Sequence, residues 1–405
     1  MPAAVAMAHA NLPPPVEALL ERQAQQLSAK LQTHRLQLFP PNARKELRKF
    51  SSSEAGKLLG VNDGYLRRLS LEGRGPAVDT SPSGRRLYSL SDIQQLREYL
   101  HAGGKGDREY IPCRKSGQGE GLIVLGIANF KGGSGKTTHA AHLAQYLALH
   151  GYRVLAIDLD PQASLSALHG VQPEFDVPEN STLYGAIRFT GHPRPLKDII
   201  RKTYFPNLDL VPGNIELMEY EHETPVALQK GATGPLFFTR IGQVLTTVED
   251  DYDVVIIDCP PQLGFLTLTA LCTSTAILLT VHPQMLDVMS MCQFQIMASA
   301  LLTEMTKTGV ETRCNWLRYL VTRYEPGDGP QNQMVSFMRS LFGEHVLNYP
   351  MLKSTAISDA GITKQTLYEI PRDQFTRSTY DRAIEALDNV NGEIERLIKV
   401  SWGRA

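Results

Sequence analysis

The densest chemistry in the chain is Lys131-Gly132-Gly133-Ser134-Gly135-Lys136-Thr137-Thr138, set between an apolar run ending near Asn129 and the helical stretch AAHLAQYLALH. Glycines let backbone N–H groups converge on phosphate oxygens without interference from Cβ atoms, and a helix N-terminus adds positive potential. Lys136 supplies a point charge and Thr137 a hydroxyl for Mg²⁺, so the chemistry indicated is binding of a nucleoside triphosphate. The common form of such a loop, GxxxxGK[ST], puts glycine at position 130. Phe130 stands there instead, and a further cation, Lys131, enters at the start of the loop. Two carboxylates extend the set. Val154 to Asp160 reads VLAIDLD and Asp253 to Pro261 reads DVVIIDCPP; an aspartate at the end of a buried strand faces the crevice where α/β sheets bind ligands. Hydrolysis of a γ-phosphate needs Mg²⁺ held by the loop threonine and an aspartate, plus a group that orients water. Asp258 suits the first role and Asp160 the second.

These residues need a sheet to position them. From Leu122 onward, β-like runs (LIVLGIANF, VLAIDL, VVIIDC, AILLTV, YLVTRY) alternate with helical stretches, which predicts an α/β domain on a mostly parallel sheet over residues 121–405. Ahead of it, 102–120 is Gly-rich and polar and reads as a linker. Residues 41–101 read as a small all-α, helix-turn-helix segment, with Gly60 and Gly73-Arg74-Gly75-Pro76 breaking short helices. Residues 1–40 hold an amphipathic helix from Val16 to Leu38, a possible dimerisation arm. A net charge of −1 over 405 residues conceals a basic front: 41–115 carries 15 Lys/Arg against 9 Asp/Glu. The five cysteines form no CxxC pair and no metal-ligand spacing, as expected of thiols in a reducing cytosol. The first fifteen residues lack a basic segment ahead of an apolar core and no uninterrupted apolar run approaches a membrane span, so no secretion or membrane insertion is expected.

KGGSGKTT, DLDPQAS and DCPPQLG together resemble the deviant Walker A, switch I and Walker B regions of the ParA/MinD ATPases. That resemblance implies a P-loop fold binding ATP and Mg²⁺ through Lys131 to Thr138, with Asp258 holding the metal through water and Asp160 assisting water attack. It also implies a homodimer sandwiching ATP, in which Lys131 reaches the phosphates of the partner subunit. The stretches SSSEAGKLLGVNDGYLRRLSLEGRGP and GRRLYSLSDIQQLREYL are similar to the winged helix-turn-helix domains of MerR-like regulators. Tyr65, Arg67 and Arg68 would then sit on or near the recognition helix, and Arg85 and Arg86, with Tyr88, in the wing. Such a front on a ParA-type ATPase, with the tail MLKSTAISDAGITKQTLYEI, resembles the larger partition ATPases that repress their own operon, the RepA group of repABC-type plasmids. The group implies a cytoplasmic, nucleoid-associated protein with weak intrinsic ATPase activity. DNA, bound both at an operator and without sequence preference, and a ParB-like centromere-binding partner would stimulate it. Lys353, Lys364, Arg372 and Arg377 are the candidates for sequence-independent DNA contacts.

Overall fold

A computed structural model describes residues 14–38, 45–103, 109–231, 236–309 and 312–404. The chain divides into two units, residues 1–45 and 46–405. In the first, α1 spans Val16–Leu38, the bounds its periodicity predicts, and Leu20 and Leu27 on it are exposed.

The second unit opens with β1 (Phe50–Ser51), α2 (Ser52–Leu59), α3 (Asp63–Leu71), β2 (Asp79–Thr80), β3 (Arg86–Tyr88) and α4 (Leu90–Ala102). Ser51 caps α2 reciprocally with Glu54, Gly60 ends it at φ 61°, and the Asn62 side chain accepts from Gly64 N to start α3. Gly60 is needed there because the left-handed backbone is strained for residues with a Cβ. Two helices therefore meet at a tight turn, as expected. The segment is not all-α, however. An antiparallel sheet in the order β1-β3-β2 sets Phe50 opposite Tyr88 and Thr80 opposite Arg86. Strands of two or three residues are too short to show a period of two, so the sequence pattern could not register them.

Seven strands build the main sheet: β4 (Ile123–Ala128), β5 (Val154–Asp158), β6 (Arg201–Lys202), β7 (Leu208–Val211), β8 (Val254–Asp258), β9 (Ala276–Val281) and β10 (Trp316–Val321). Their order is β10-β9-β4-β8-β5-β7-β6, all pairs parallel except the edge pair β6–β7. The five apolar runs became β4, β5, β8, β9 and β10; the short edge strands β6 and β7 were not among them. Ile123, Leu125 and Ile127 face one core, Val124 and Ala128 the other, which is why these strands read as continuously apolar. The first of these cores runs on without a break into Phe50, Leu66, Tyr88 and Ile93.

That continuity bears on the expected linker. Its described part, 109–120, is anchored: Arg114, buried, donates to the carbonyls of Tyr252 (2.9 Å) and Glu120 (3.2 Å), and its backbone N–H to Asp253 Oδ1 (3.0 Å). Glycine-rich composition reports local freedom but not the hold of a buried arginine. The C-terminal helix Arg377–Ser401 buries Leu387, Val390, Ile394 and Ile398, and the Trp402 indole donates to the Gly121 carbonyl at 2.8 Å. Met285–Thr306 is, by length and composition, apolar enough to cross a membrane; here it flanks β9 and carries a buried Asp287.

Candidate nucleotide site and basic face

Between β4 and β5 the chain skips one strand position, filled later by β8, so the loop after β4 opens at the crevice where the sheet order reverses. The loop passes through Gly133 (φ 76°) and Gly135 (φ 85°) and delivers Lys136 to the N-terminus of α5 (Lys136–Leu149). It is tied to its neighbours. The Asn129 side chain donates to the Thr280 carbonyl and accepts from Lys131 N, and Thr322 Oγ1 donates to the Ser134 carbonyl at 2.7 Å. Gly132, Gly133, Gly135, Lys136, Thr137, Thr138 and Asp160 together line one cleft of about 610 Å³.

Three of the expected site residues stand apart from that lining. The Ser134 hydroxyl is buried against Thr280 Oγ1 at 3.0 Å. Lys131 is turned to the start of Met285–Thr306, where its Nζ meets Asp287 Oδ2 at 2.7 Å. Asp258, at the end of β8, is fully buried behind the loop, and neither of its carboxylate oxygens has a hydrogen-bond partner.

Burial and neighbouring charges set the electrostatics behind the loop. Lys136 Nζ lies 3.3 Å from the Lys131 carbonyl, and burial lowers its pKa, against the pull of Asp258, Cys259 and Asp160. Asp158 pairs in register with Asp258 across β5 and β8. Burial raises both carboxyls, Asp158 to about 7 and Asp258 far above the usual range; Asp158 raises Asp258 further, and Asp160 raises both. Ser166 answers Asp158 with its N–H (2.8 Å) and hydroxyl (2.7 Å), whereas Asp258 has only the nearby Thr137 and Lys136 to lower it. A buried, unanswered carboxylate beside a loop threonine and a buried lysine fits a hydrated divalent cation carried in with phosphates. Asp160 stands at the cleft, its carboxylate accepting from Gln162 N at 2.9 Å. Asp158, Asp287 and Thr322 were not singled out from sequence, and the tail stretch that supplies Met351, Leu352, Lys353, Ser354 and Ile357 to the cleft wall was noted only for its resemblance and for Lys353 as a DNA contact; only the DLD doublet hinted at Asp158.

The candidate DNA residues lie on α3 and on the β2–β3 hairpin. Arg67 and Arg68 are exposed on α3, the first ion-paired with Asp63 at 3.0 Å, the second over the Tyr65 ring at 5.3 Å. Arg85 is exposed beside the β2–β3 turn, and Arg86 Nε donates to Ser70 Oγ on α3 at 2.9 Å, which ties the hairpin to the helix. The Arg86–Ser70 bond sets the exposed Arg67 and Arg68 of the helix and Arg85 of the hairpin on joined elements. Of the further cations, Lys353 pairs with Glu325 at 2.9 Å and lines the nucleotide cleft, and Arg372 pairs with Asp381.

Comparison with known proteins places these features. A family model described as an AAA domain matches residues 123–308. A protein of Rhizobium rhizogenes, provisionally named replication protein A, is 60% identical over 388 residues, 96% of either chain. SopA of Escherichia coli K12 is 30% identical over 372 residues, 89% of this chain and 92% of its own. Among solved structures, one described as a partition protein aligns with a TM-score of 0.60 at 18% identity, covering 92% of this chain and 99% of that one. Identity that low speaks for the fold alone.

Proposed function

The chain belongs to the ParA-type partition ATPases, in the group of the repABC-type replication proteins, and on that premise we propose that it is a plasmid-partition ATPase that also represses its own operon. The observation that carries the nucleotide half is the buried Asp258 carboxylate, without a partner, beside Thr137 and Lys136 at the head of a glycine loop. Backbone N–H groups of Gly132 to Gly135 and the start of α5 would cradle the phosphates of ATP, with Lys136 as their counter-charge. Thr137 and Asp258, the latter through water, would hold Mg²⁺, which when bound neutralises charge building between the β- and γ-phosphates. Asp160 orients the attacking water, and Lys131, leaving Asp287, meets the phosphates of a partner subunit. Turnover by the isolated chain is slow, and DNA and a ParB-like centromere-binding protein accelerate it. The ATP-bound dimer holds nucleoid DNA without sequence preference and lets go after hydrolysis in the cytoplasm.

The helix, tight turn and hairpin over residues 50–88 support a winged helix-turn-helix that reads an operator. Arg67 and Arg68 would lie in the major groove, with Arg85 and Arg86 against the backbone. Replacing Arg67 and Arg68 together by Ala should weaken operator binding more than about tenfold, since each lost base contact is worth roughly 1–3 kcal/mol. ATP turnover should stay as it was, because neither residue lines the cleft. The test of the whole reading is DNA binding in the apo, ADP and ATP states, on random fragments and on the fragment upstream of the gene. Random-DNA binding that ignores the nucleotide would sink the partition reading, and an operator footprint unchanged by the double substitution would sink the repressor one.

A further inference from the structure

At the end of β10 the backbone turns left-handed at Arg323, φ 53°, a conformation that side chains with a Cβ adopt at a cost and that concentrates at functional sites. Its neighbour holds it in place. Thr322 bonds the Ser134 carbonyl and packs so close that a Cβ on Gly135 would lie 3.4 Å from its side-chain carbons. The turned backbone brings the Arg323 guanidinium over the phosphate loop, with Nη1 3.5 Å from the Gly133 carbonyl, and into the lining of the same cleft. At that length the contact is weak, so the guanidinium remains available to a better acceptor.

Among the described residues, four cations border the loop or its cleft, and their commitments differ: Lys353 is ion-paired with Glu325. Lys131 is ion-paired with Asp287, and Lys136 is buried at the start of α5. Arg323 is exposed and, among the described residues, makes no ion pair. Loop N–H groups and the helix N-terminus hold the inner phosphates and Lys136 is shared between the β- and γ-phosphates, which leaves the terminal phosphate with room for a further forked donor. A planar guanidinium with forked donors suits phosphate oxygens better than an ammonium does. We propose that Arg323 is a nucleotide-binding residue that takes the terminal phosphate, so that the site tells a triphosphate from a diphosphate. This rests on the nucleotide reading of the cleft given above.

The strained backbone supplies a clean variant. Glycine accepts a positive φ, so Arg323→Gly removes the guanidinium without adding strain and should melt no lower than the parent. Affinities for a non-hydrolysable ATP analogue and for ADP, each with magnesium, are measured on the full chain and on Arg323→Gly, Arg323→Lys and Lys136→Gln. Arg323→Gly should lose about tenfold or more for the analogue, the usual scale for a hydrogen bond to a charged group. ADP binding should be nearly unchanged, and Arg323→Lys should recover part of the loss. Unchanged affinity for the analogue, or an equal loss for both nucleotides, overturns the assignment. The Lys136→Gln arm separates the two failures: if that chain binds both nucleotides as the parent does, the nucleotide reading of the cleft is what fails.

Discussion

Asp158 and Asp258 end adjacent strands in register, both fully buried, and the second has no hydrogen-bond partner of its own. An arrangement this costly is sustained only where a ligand or the surrounding fold repays it, and the glycine loop beside it is the natural place for the ligand. His139, one turn into α5, is a second buried polar group of this kind. Neither ring nitrogen has a partner, and burial, with His142 adding to it, pushes its pKa down to about 3. An unfolded histidine titrates near 6.5. The folded pKa therefore lies below the unfolded one. Neutral His139 contributes stability above about pH 6.5 that is lost as the pH falls toward 3. His139→Leu should accordingly lose less melting temperature between pH 7 and pH 5 than the parent chain does, by calorimetry on the nucleotide-free protein. Equal acid shifts in the two chains would show that His139 does not resist protonation in the fold.

Among elements, α5 links the two ends of the second unit. It starts in the phosphate loop, and its last carbonyl, that of Leu149, accepts from Arg97 of α4 at 3.1 Å. The same guanidinium donates to Leu58 of α2 at 2.8 Å and to Tyr110 at 3.3 Å, so one buried cation joins three segments through backbone carbonyls alone. Burial pushes its pKa down to about 10, which still leaves it charged at neutral pH. Arg97→Ala strands those carbonyls, and at roughly 1–3 kcal/mol for each buried unsatisfied group the loss should be about 3 kcal/mol or more. Scanning calorimetry should resolve the result as two transitions where the parent chain melts residues 46–405 in one, because the shared core and the Arg48 Nε bond to the Tyr368 carbonyl (3.2 Å) are then the main ties between the basic face and the sheet. A variant that still melts in a single transition at the parent's temperature would show that Arg97 joins nothing essential.

For the whole molecule, the decisive residue is Lys131. In the single chain it is held by Asp287 on its own helix, away from the cleft lining. On the proposed reading Lys136 would serve the phosphates of its own subunit, so a second lysine would gain most by reaching across to a partner, where one positioned cation can be worth on the order of 10³-fold in rate. Lys131→Gln and Asp160→Ala should each be nearly inactive alone. Mixed, they form dimers in which one site keeps its own Asp160 and faces an intact Lys131, so turnover should reappear at one working site per mixed dimer. A mixture that stays inactive after demonstrated subunit exchange would place Lys131 in its own subunit and remove the sandwich dimer from the mechanism.

Spacing alone made the phosphate loop, the strand-end Asp258 and five of the seven main-sheet strands legible, with Asp160 falling two residues past the end of β5, because each is written in consecutive residues: a glycine loop before a helix, or an apolar run in the sheet. The three-stranded sheet β1-β3-β2 and the edge pair β6–β7 were not, since their strands run to four residues at most and carry no resolvable period. Partnerships were decided only in three dimensions. Asp287 meets Lys131 across 156 residues, Arg97 meets Leu149 across 52, and Thr322 meets Ser134 across 188. Such contacts depend on which strands become neighbours in the sheet and on which buried cations must find carbonyls once water is excluded. Neither leaves a trace in local sequence, and so residues 109–120, whose composition reads as a linker, are held by their own buried Arg114.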